Sequence, residues 1–316
     1  MDDLLERVRA TGIVPTGGGA PLVVLFSGGR DSTCLLDICV ELAGVDVVQA
    51  LHVDYGLRGA ASDGDREHCV ALCERLGVAL ELRRAGAPSG NVQGWARKLR
   101  YAAGAEAVAA LGPGARLVAG HTISDQVETI LYRLAVSPGR RALRGMEAET
   151  ERLIRPLLAA EATRTDTAAW CEARGLPWRD DASNLDRAYA RARVREDLLP
   201  ALRAVDARAE VNILRTARLL RDEGAVLDEL VDGVLGGRDQ LPRAELVALP
   251  GALGRLVLRR LAEEAVGGLC GRAATRLADV LALGDDGALD LGDGARAIVA
   301  DGTVRVGRTP ARPPKR

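Results

Sequence analysis

The chain has 316 residues, a formal charge of −1, 47% hydrophobic and 28% charged residues, which suggests two domains with ample material for a core and argues against long disorder. No uncharged apolar run approaches the roughly 18 residues of a membrane span. The acidic start Met1-Asp2-Asp3 does not resemble a signal peptide, so no membrane association and a cytoplasmic location are expected.

In chain order, residues 4–13 carry an amphipathic helix pattern, followed by Gly17-Gly18-Gly19. Residues 22–26 are a continuous apolar run of strand length, ending in Ser27-Gly28-Gly29-Arg30-Asp31-Ser32 and passing into a helix over 33–42. Strands are expected over 45–53, 78–82 and 116–119, and helices over 62–76, 91–111 and 124–135. Apolar strands alternating with helices predict an α/β fold with a parallel sheet covered on both faces. Ligands in such sheets bind beyond the carboxyl ends of the strands.

After Pro156 the pattern changes to a helix over 162–174, a polar loop over 177–184, and a helical stretch over 187–235 with an expected interruption at Pro200. Residues 243–283 suggest two or three more helices, and three short runs from Ala288 onward, separated by Asp-Gly turns, read as antiparallel strands. The expected organisation is a catalytic domain over 1–200 and a smaller, mainly helical domain over 201–316 with a short β element at its end, the boundary lying between about Asn184 and Val205.

The hexapeptide Ser27–Ser32 stands between a strand and a helix. Its two glycines let backbone approach a ligand closely, and the helix N-terminus offers free N–H groups and a positive dipole end suited to phosphate. Ser27 and Ser32 add hydroxyls, and Arg30 a cation. Asp31 would repel phosphate unless a cation stands between them, which points to Mg²⁺. The bland alternative, a tight turn with a helix cap, explains Gly28-Gly29 alone better than it explains S-G-G-x-D-S in this setting. The next strand ends at His52-Val53-Asp54, where Asp54 either faces a ligand or caps the following turn.

Gly120–Thr129 opens a helix after the fourth strand. Asp125 and Glu128 are three residues apart and His121 is four before Asp125, so both carboxylates share one face of the first turn near the imidazole. Ordinary N-terminal capping is the bland reading. Beside a phosphate loop, the same acids suggest a pocket for a cationic amine that becomes a nucleophile. On the preceding helix, Arg97 and Arg100 lie on one face, suited either to charge developing at an α-phosphate or to an RNA backbone.

Ser27–Ser32 resembles the signature of the N-type ATP pyrophosphatases, the PP-loop family. That resemblance implies ATP cleavage between the α and β phosphates, with the pyrophosphate in the loop and the edge of the second strand, including His52 and Asp54, near adenine. The full series is more specific: Ser27–Ser32; 52–58 (HVDYGLR); 96–101 (ARKLRY); 120–131; 153–158 (LIRPLL); and 178–184 followed by 191–200. It resembles the tRNA(Ile)-lysidine synthetase family over about residues 20–200. The resemblance implies ATP, Mg²⁺ at Asp31, free L-lysine, and a CAU-anticodon tRNA(Ile) whose wobble cytidine is adenylated and then attacked by lysine. It further implies Asp125 and Glu128, with His121 nearby, for lysine or the activated base, and Arg100 or Arg97 for the adenylate. The chain departs from the family at Tyr55, often His, at Ser124, often Asp, and at Ala192, often Asn.

Charge partition fits an RNA partner better than the total does. Of the 43 basic residues only Lys98 and Lys315 are Lys, a compositional bias, and residues 187–221 hold nine Arg against four acids. Basic faces of this kind grip phosphates. The runner-up is another PP-loop tRNA-modifying enzyme, a cytidine thiolase, which needs paired cysteines. Cys34, Cys39, Cys69, Cys73, Cys171 and Cys270 lack metal-site or redox spacing and are expected to be reduced and packed. The oligomeric state stays open, a homodimer among the options.

Overall fold

In a computed structural model the protein is described over residues 2–57, 59–88, 90–137, 139–179, 187 and 189–310. Arg58, Asp180–Asn184 of the polar loop and the basic tail from residue 311 lie outside the described residues. The chain divides into two compact units, Met1–Arg218 and Leu219–Arg316.

The first unit is built on five parallel strands: β1 (Leu22–Leu25), β2 (Val48–Asp54), β3 (Ala79–Arg84), β4 (Arg116–Val118) and β5 (Leu153–Ile154), in the order β3-β2-β1-β4-β5. Leu22 sits in register with Val48 on one side and Arg116 on the other. All four residues of β1 are buried because alternate side chains feed two cores. Leu22 and Val24, with Phe26 beyond the strand, pack with Leu35, Ile38 and Cys39 of α2 (Arg30–Ala43). Val23 and Leu25 pack with Ala103, Ala107 and Val108 of the helix after β3.

Helix α1 (Asp2–Ala10) precedes the sheet, and α3 (Ala60–Leu76), α4 (Val92–Leu111) and α5 (Ile123–Val136) follow β2, β3 and β4. Short α6 (Arg140–Leu143) and α7 (Pro156–Ala159) flank β5, and α8 (Arg164–Ala173) runs beside α2. The order of strands reverses around β1 and β4, so the crevice beyond their carboxyl ends is where a ligand site is expected. Both polar motifs, 27–32 and 120–129, lie there.

Three local expectations change. Residues 45–47 form a 3₁₀ turn, so β2 begins only at Val48. The two-residue β5 was too short for an apolar run to betray it. Pro200 does not interrupt the helical stretch. It sits in the first turn of α10 (Leu199–Val205), where its missing N–H is tolerated. The chain enters from α9 (Ala190–Arg193) through a π-helical turn over Val194–Leu198, and the break comes at Asp206. Val127 and Leu131 of α5 form a core with Val194 and Leu199, which seats that turn. Residue 200, the expected end of the first domain, lies inside α10; the division falls within the long α11 (Ala209–Leu235).

The second unit holds α12 (Arg243–Ala248), α13 (Gly251–Val266), α14 (Leu277–Leu281) and a four-stranded antiparallel sheet. Its strands are β6 (Gln240–Pro242), β7 (Gly287–Gly292), β8 (Ala295–Ala300) and β9 (Thr303–Arg308), in the order β6-β9-β8-β7. The two-residue turn between β8 and β9 places Asp301 and Gly302 at φ 49° and 68°, the paired left-handed conformations that a tight hairpin demands and Asp-Gly supplies. Val299, Ala297 and Ala295 alternate inward onto Val257, Leu258 and Leu261 of α13. No helix among the described residues is long and apolar enough to cross a membrane.

Candidate active site

The turn from β1 into α2 is held by its own hydroxyls. Ser32 Oγ donates to the Gly29 carbonyl at 2.8 Å and lies 3.1 Å from Ser27 Oγ, while the Ser27 N–H reaches Ser32 Oγ at 3.2 Å. Gly28 adopts φ 76°, and a Cβ there would come within 3.0 Å of Cys69 Sγ and His68 Cδ2, so two constraints require glycine. The Arg179 N–H donates to the Gly28 carbonyl at 3.0 Å, tying the chain just before the 180–184 loop to this turn. No side chain caps α2, which leaves its first turn free to meet an anion.

Asp31 stands in that first turn. Its Oδ1 accepts from Thr167 Oγ1 of α8 and from Arg30 Nε at 3.3 Å, while Oδ2 has no hydrogen-bond partner among the described residues. Burial pushes its carboxyl above the ordinary value; the Thr167 hydrogen bond pulls the other way, and the field of Asp125 adds to the rise. With one oxygen open and the side chain 22% exposed, Asp31 fits a divalent cation. No cluster of three or more acids, His or Cys surrounds it among the described residues, so nucleotide oxygens and water would complete the shell.

Gly120 joins the two halves of the site. A Cβ on it would lie 3.1 Å from the Asp31 carbonyl oxygen and 3.4 Å from Ser32 Cα, an approach close enough that a side chain there would push the neighbouring backbone aside. The start of α5 therefore rests against the start of α2. Asp125 Oδ2 accepts from the Thr122 N–H at 2.8 Å and from the Thr122 hydroxyl at 3.0 Å, the capping geometry expected of a first-turn acid. Its Oδ1 accepts from Arg164 Nη2 at 3.0 Å. Burial alone would raise Asp125; Arg164 and the Thr122 N–H outweigh it and hold the carboxyl below the ordinary value.

Asp125 and Glu128 do share one face, because Arg164 reaches both, with Nη1 3.1 Å from Glu128 Oε1. Arg195, in the π-helical turn, grips Glu128 with a fork, Nε to Oε1 at 2.7 Å and Nη2 to Oε2 at 2.9 Å. The acid pair is thus not a pocket of two open carboxylates: Glu128 is closed to an amine, and Asp125, its side chain 24% exposed, is the acid that remains within reach. Glu128 is buried and engaged on both oxygens by guanidinium groups, and Asp125 is the acid nearer the phosphate turn in electrostatic reach.

His121 Nδ1 accepts from Arg155 Nε at 3.3 Å. Burial is the main reason its imidazole falls to about 3; Asp125 opposes that fall, and Arg155, Arg100 and Arg97 deepen it. On α4, Arg97 and Arg100 sit over the Tyr101 ring at 4.8 and 5.8 Å, while Lys98 between them is exposed. Arg191 and Arg155 also oppose the charge on Arg97, and the same two oppose that on Arg133. Arg97, Arg100, Arg133, Arg155 and Arg191 form no ion pair with a carboxylate among the described residues, and Arg100 Nε is buried without an acceptor. Such a group of like charges suits an anion.

Two expected contact residues serve other purposes. His52 is buried with Nδ1 3.0 Å from the Phe26 carbonyl and 3.3 Å from Cys69 Sγ, supporting the phosphate turn from beneath. Asp54 accepts from the Gly56 N–H at 2.8 Å and so caps the following turn, one of its two expected readings. Tyr55 and Trp95 meet edge to face at 5.8 Å. Sequence reasoning missed Arg164, Thr167, Arg195 and Arg155. Arg155 stands in the 153–158 motif and Arg195 in the 191–200 motif, signals that were available; Arg164 and Thr167 carry no local pattern.

The model of the PP-loop domain family matches residues 8–202. The chain is 40% identical to the tRNA(Ile)-lysidine synthase of Solibacter usitatus over 80% of its own length and 59% of the relative. It is 36% identical to that of Gloeobacter violaceus, covering 81% of both chains, and 34% identical to that of Symbiobacterium thermophilum, covering 97% of this chain and 69% of the other. A Pseudomonas fluorescens relative is 38% identical and 52% covered, so the chain spans little more than half the length of some curated relatives. Among solved structures, the U34-tRNA thiolase NcsA from Methanococcus maripaludis, with its [4Fe-4S] cluster, superposes with a TM-score of 0.56 at 16% identity. That match covers 70% of this chain and 78% of the thiolase, a likeness of fold.

Proposed function

The chain belongs to the tRNA(Ile)-lysidine synthase family, and from that membership and the site we propose that it joins lysine to the wobble cytidine of a CAU-anticodon isoleucine tRNA at the expense of ATP. The observation that carries this reading is the contact of Gly120 with Asp31 and Ser32, which puts a phosphate turn and an acid-bearing helix start in one crevice. In the first step, cytosine O2 attacks the α-phosphorus, the bond to the bridging β-phosphate oxygen breaks, and pyrophosphate leaves. In the second, the lysine ε-amine attacks C2, the C2–O bond breaks, AMP leaves, and the amine gives up a proton.

The uncapped first turn of α2, with Ser27, Gly28, Gly29, Arg30 and Ser32, binds the departing pyrophosphate. Asp31 holds Mg²⁺, which supplies charge neutralisation at the phosphates when bound. Arg97, Arg100 and Arg155 stabilise the adenylate phosphate, since they converge on His121 without carboxylate partners. Asp125, with neutral His121 beside it, receives the lysine amine. Glu128 fixes Arg195 and Arg164 around that acid. Of the arginines of 187–221, those other than Arg195, which Glu128 holds, grip tRNA phosphates. The buried cysteines favour this chemistry over sulfur transfer: burial pushes the Cys39 thiol up to about 12 and Cys73 to about 11, far from a reactive thiolate.

The test is ATP-dependent incorporation of labelled lysine into CAU-anticodon tRNA(Ile), with one AMP and one pyrophosphate formed per lysine. Pyrophosphate release that accompanies sulfur transfer, with no lysine incorporated, refutes the reading.

A further inference from the structure

Asp31 and Asp125 stand on different helices, and α8 touches both. Thr167 is fully buried; its hydroxyl donates to Asp31 Oδ1 and lies 3.2 Å from Arg30 Nε, from which it accepts. One helical turn earlier, Arg164 reaches Asp125 and Glu128 at 3.0 and 3.1 Å. The far end of α8 is fastened along α2, with Trp170 Nε1 donating to Asp37 Oδ2 at 2.9 Å and Arg174 Nε 2.6 Å from the same oxygen. Its N-terminus is closed by a capping box, the Thr163 N–H on Asp166 Oδ2 at 2.7 Å and the Asp166 N–H on Thr163 Oγ1 at 3.1 Å. Arg7 of α1 adds a contact to Asp166 Oδ1 at 3.2 Å. Held at both ends, α8 cannot slide along α2.

We infer that α8 is a brace across the site, with Thr167 and Arg164 as positioning residues. Thr167 engages one oxygen of Asp31 and leaves the other for the metal-bearing nucleotide. Arg164 holds the Asp125–Glu128 pair at a fixed distance from that carboxylate. The hydroxyl has a second effect. It gives Arg30 an acceptor other than Asp31; without it, the Arg30 guanidinium, already 3.3 Å from Oδ1, competes with the metal for the carboxylate.

This inference rests on the nucleotide-binding reading above, and its test separates the two. The full chain is titrated with Mn²⁺ and α,β-methylene ATP, with Mn²⁺ binding read by electron paramagnetic resonance in the absence of tRNA and lysine. Thr167→Val weakens Mn²⁺–analogue binding roughly tenfold, the worth of one hydrogen bond to a charged group, and Thr167→Ser, which keeps the hydroxyl, recovers most of the loss. Wild-type protein that fails to take up Mn²⁺ with the analogue overturns the nucleotide assignment and the brace with it. Wild-type binding with an unaffected Thr167→Val, or a Thr167→Ser as weak as Thr167→Val, overturns the brace alone. Arg164→Gln is the second arm should Thr167→Val not fold. It raises the KM for lysine about tenfold, with Arg164→Lys recovering part. An unchanged KM overturns the brace.

Discussion

Replacing Glu128 with Gln tests whether the second acid of α5 anchors structure. The substitution keeps shape but removes the charge that Arg195 grips at 2.7 and 2.9 Å and that Arg164 touches at 3.1 Å. Breaking a buried ion pair by removing one partner costs about 3–5 kcal/mol. Arg195 is 26% exposed and regains some solvation, and the amide still accepts one hydrogen bond, so a cost at or just below that range, about 2–3 kcal/mol, is expected. Trp95, Trp170 and Trp178 all lie in the first unit, so urea unfolding followed by tryptophan fluorescence reports on that unit. In a double-mutant cycle with Arg195→Met, the two losses should fall short of additivity by about 2 kcal/mol. A Glu128→Gln cost under about 0.5 kcal/mol, or strict additivity, would refute the anchor.

Other expectations follow from single contacts. His121 titrates near 3 in the folded chain against 6.5 for an unburied imidazole, so the unfolded chain binds more protons between those values. Stability therefore falls as pH drops through that window, and His121→Gln should flatten the acid limb of a urea-midpoint profile; parallel profiles would contradict the assignment. Gly120→Ala drives a methyl to 3.1 Å from the Asp31 carbonyl oxygen and should cost about 1–3 kcal/mol together with lysine incorporation, whereas wild-type melting and activity would show that the two helix starts are not in contact. Asp31→Ala should slow tRNA-dependent pyrophosphate release roughly a hundredfold, and normal release would remove its metal role.

The legible parts of the site were those that local physics concentrates. A glycine turn between an apolar strand and a helix, or acids three apart in a first turn, carry their chemistry in a few consecutive residues. The crevice was legible for the same reason, since both motifs end strands of one parallel sheet. The partners were not. Arg164 reaches Asp125 across 39 residues of sequence and Arg195 reaches Glu128 across 67, and each sits in a helix whose pattern records only its buried side. A pocket of two open acids is expected from the sequence because carboxylates are visible there and the guanidinium groups that close Glu128 are not assignable to it. Pro200 misled in the other direction. The residue usually marks a break, but the π-helical turn before it and its place in a first turn remove the conflict.

The exposed position of Lys98 on α4, set between two arginines that face the site, has a practical side. With Lys315 outside the first unit, Lys98 is that unit's sole side-chain amine. Once Lys315→Arg removes the other lysine, a reagent that acylates amines and spares guanidinium groups modifies Lys98, one and two residues from Arg97 and Arg100, and otherwise only the chain's α-amine. A label at Lys98 thus offers an optical test of whether the proposed tRNA substrate approaches this face, with every arginine there left unaltered.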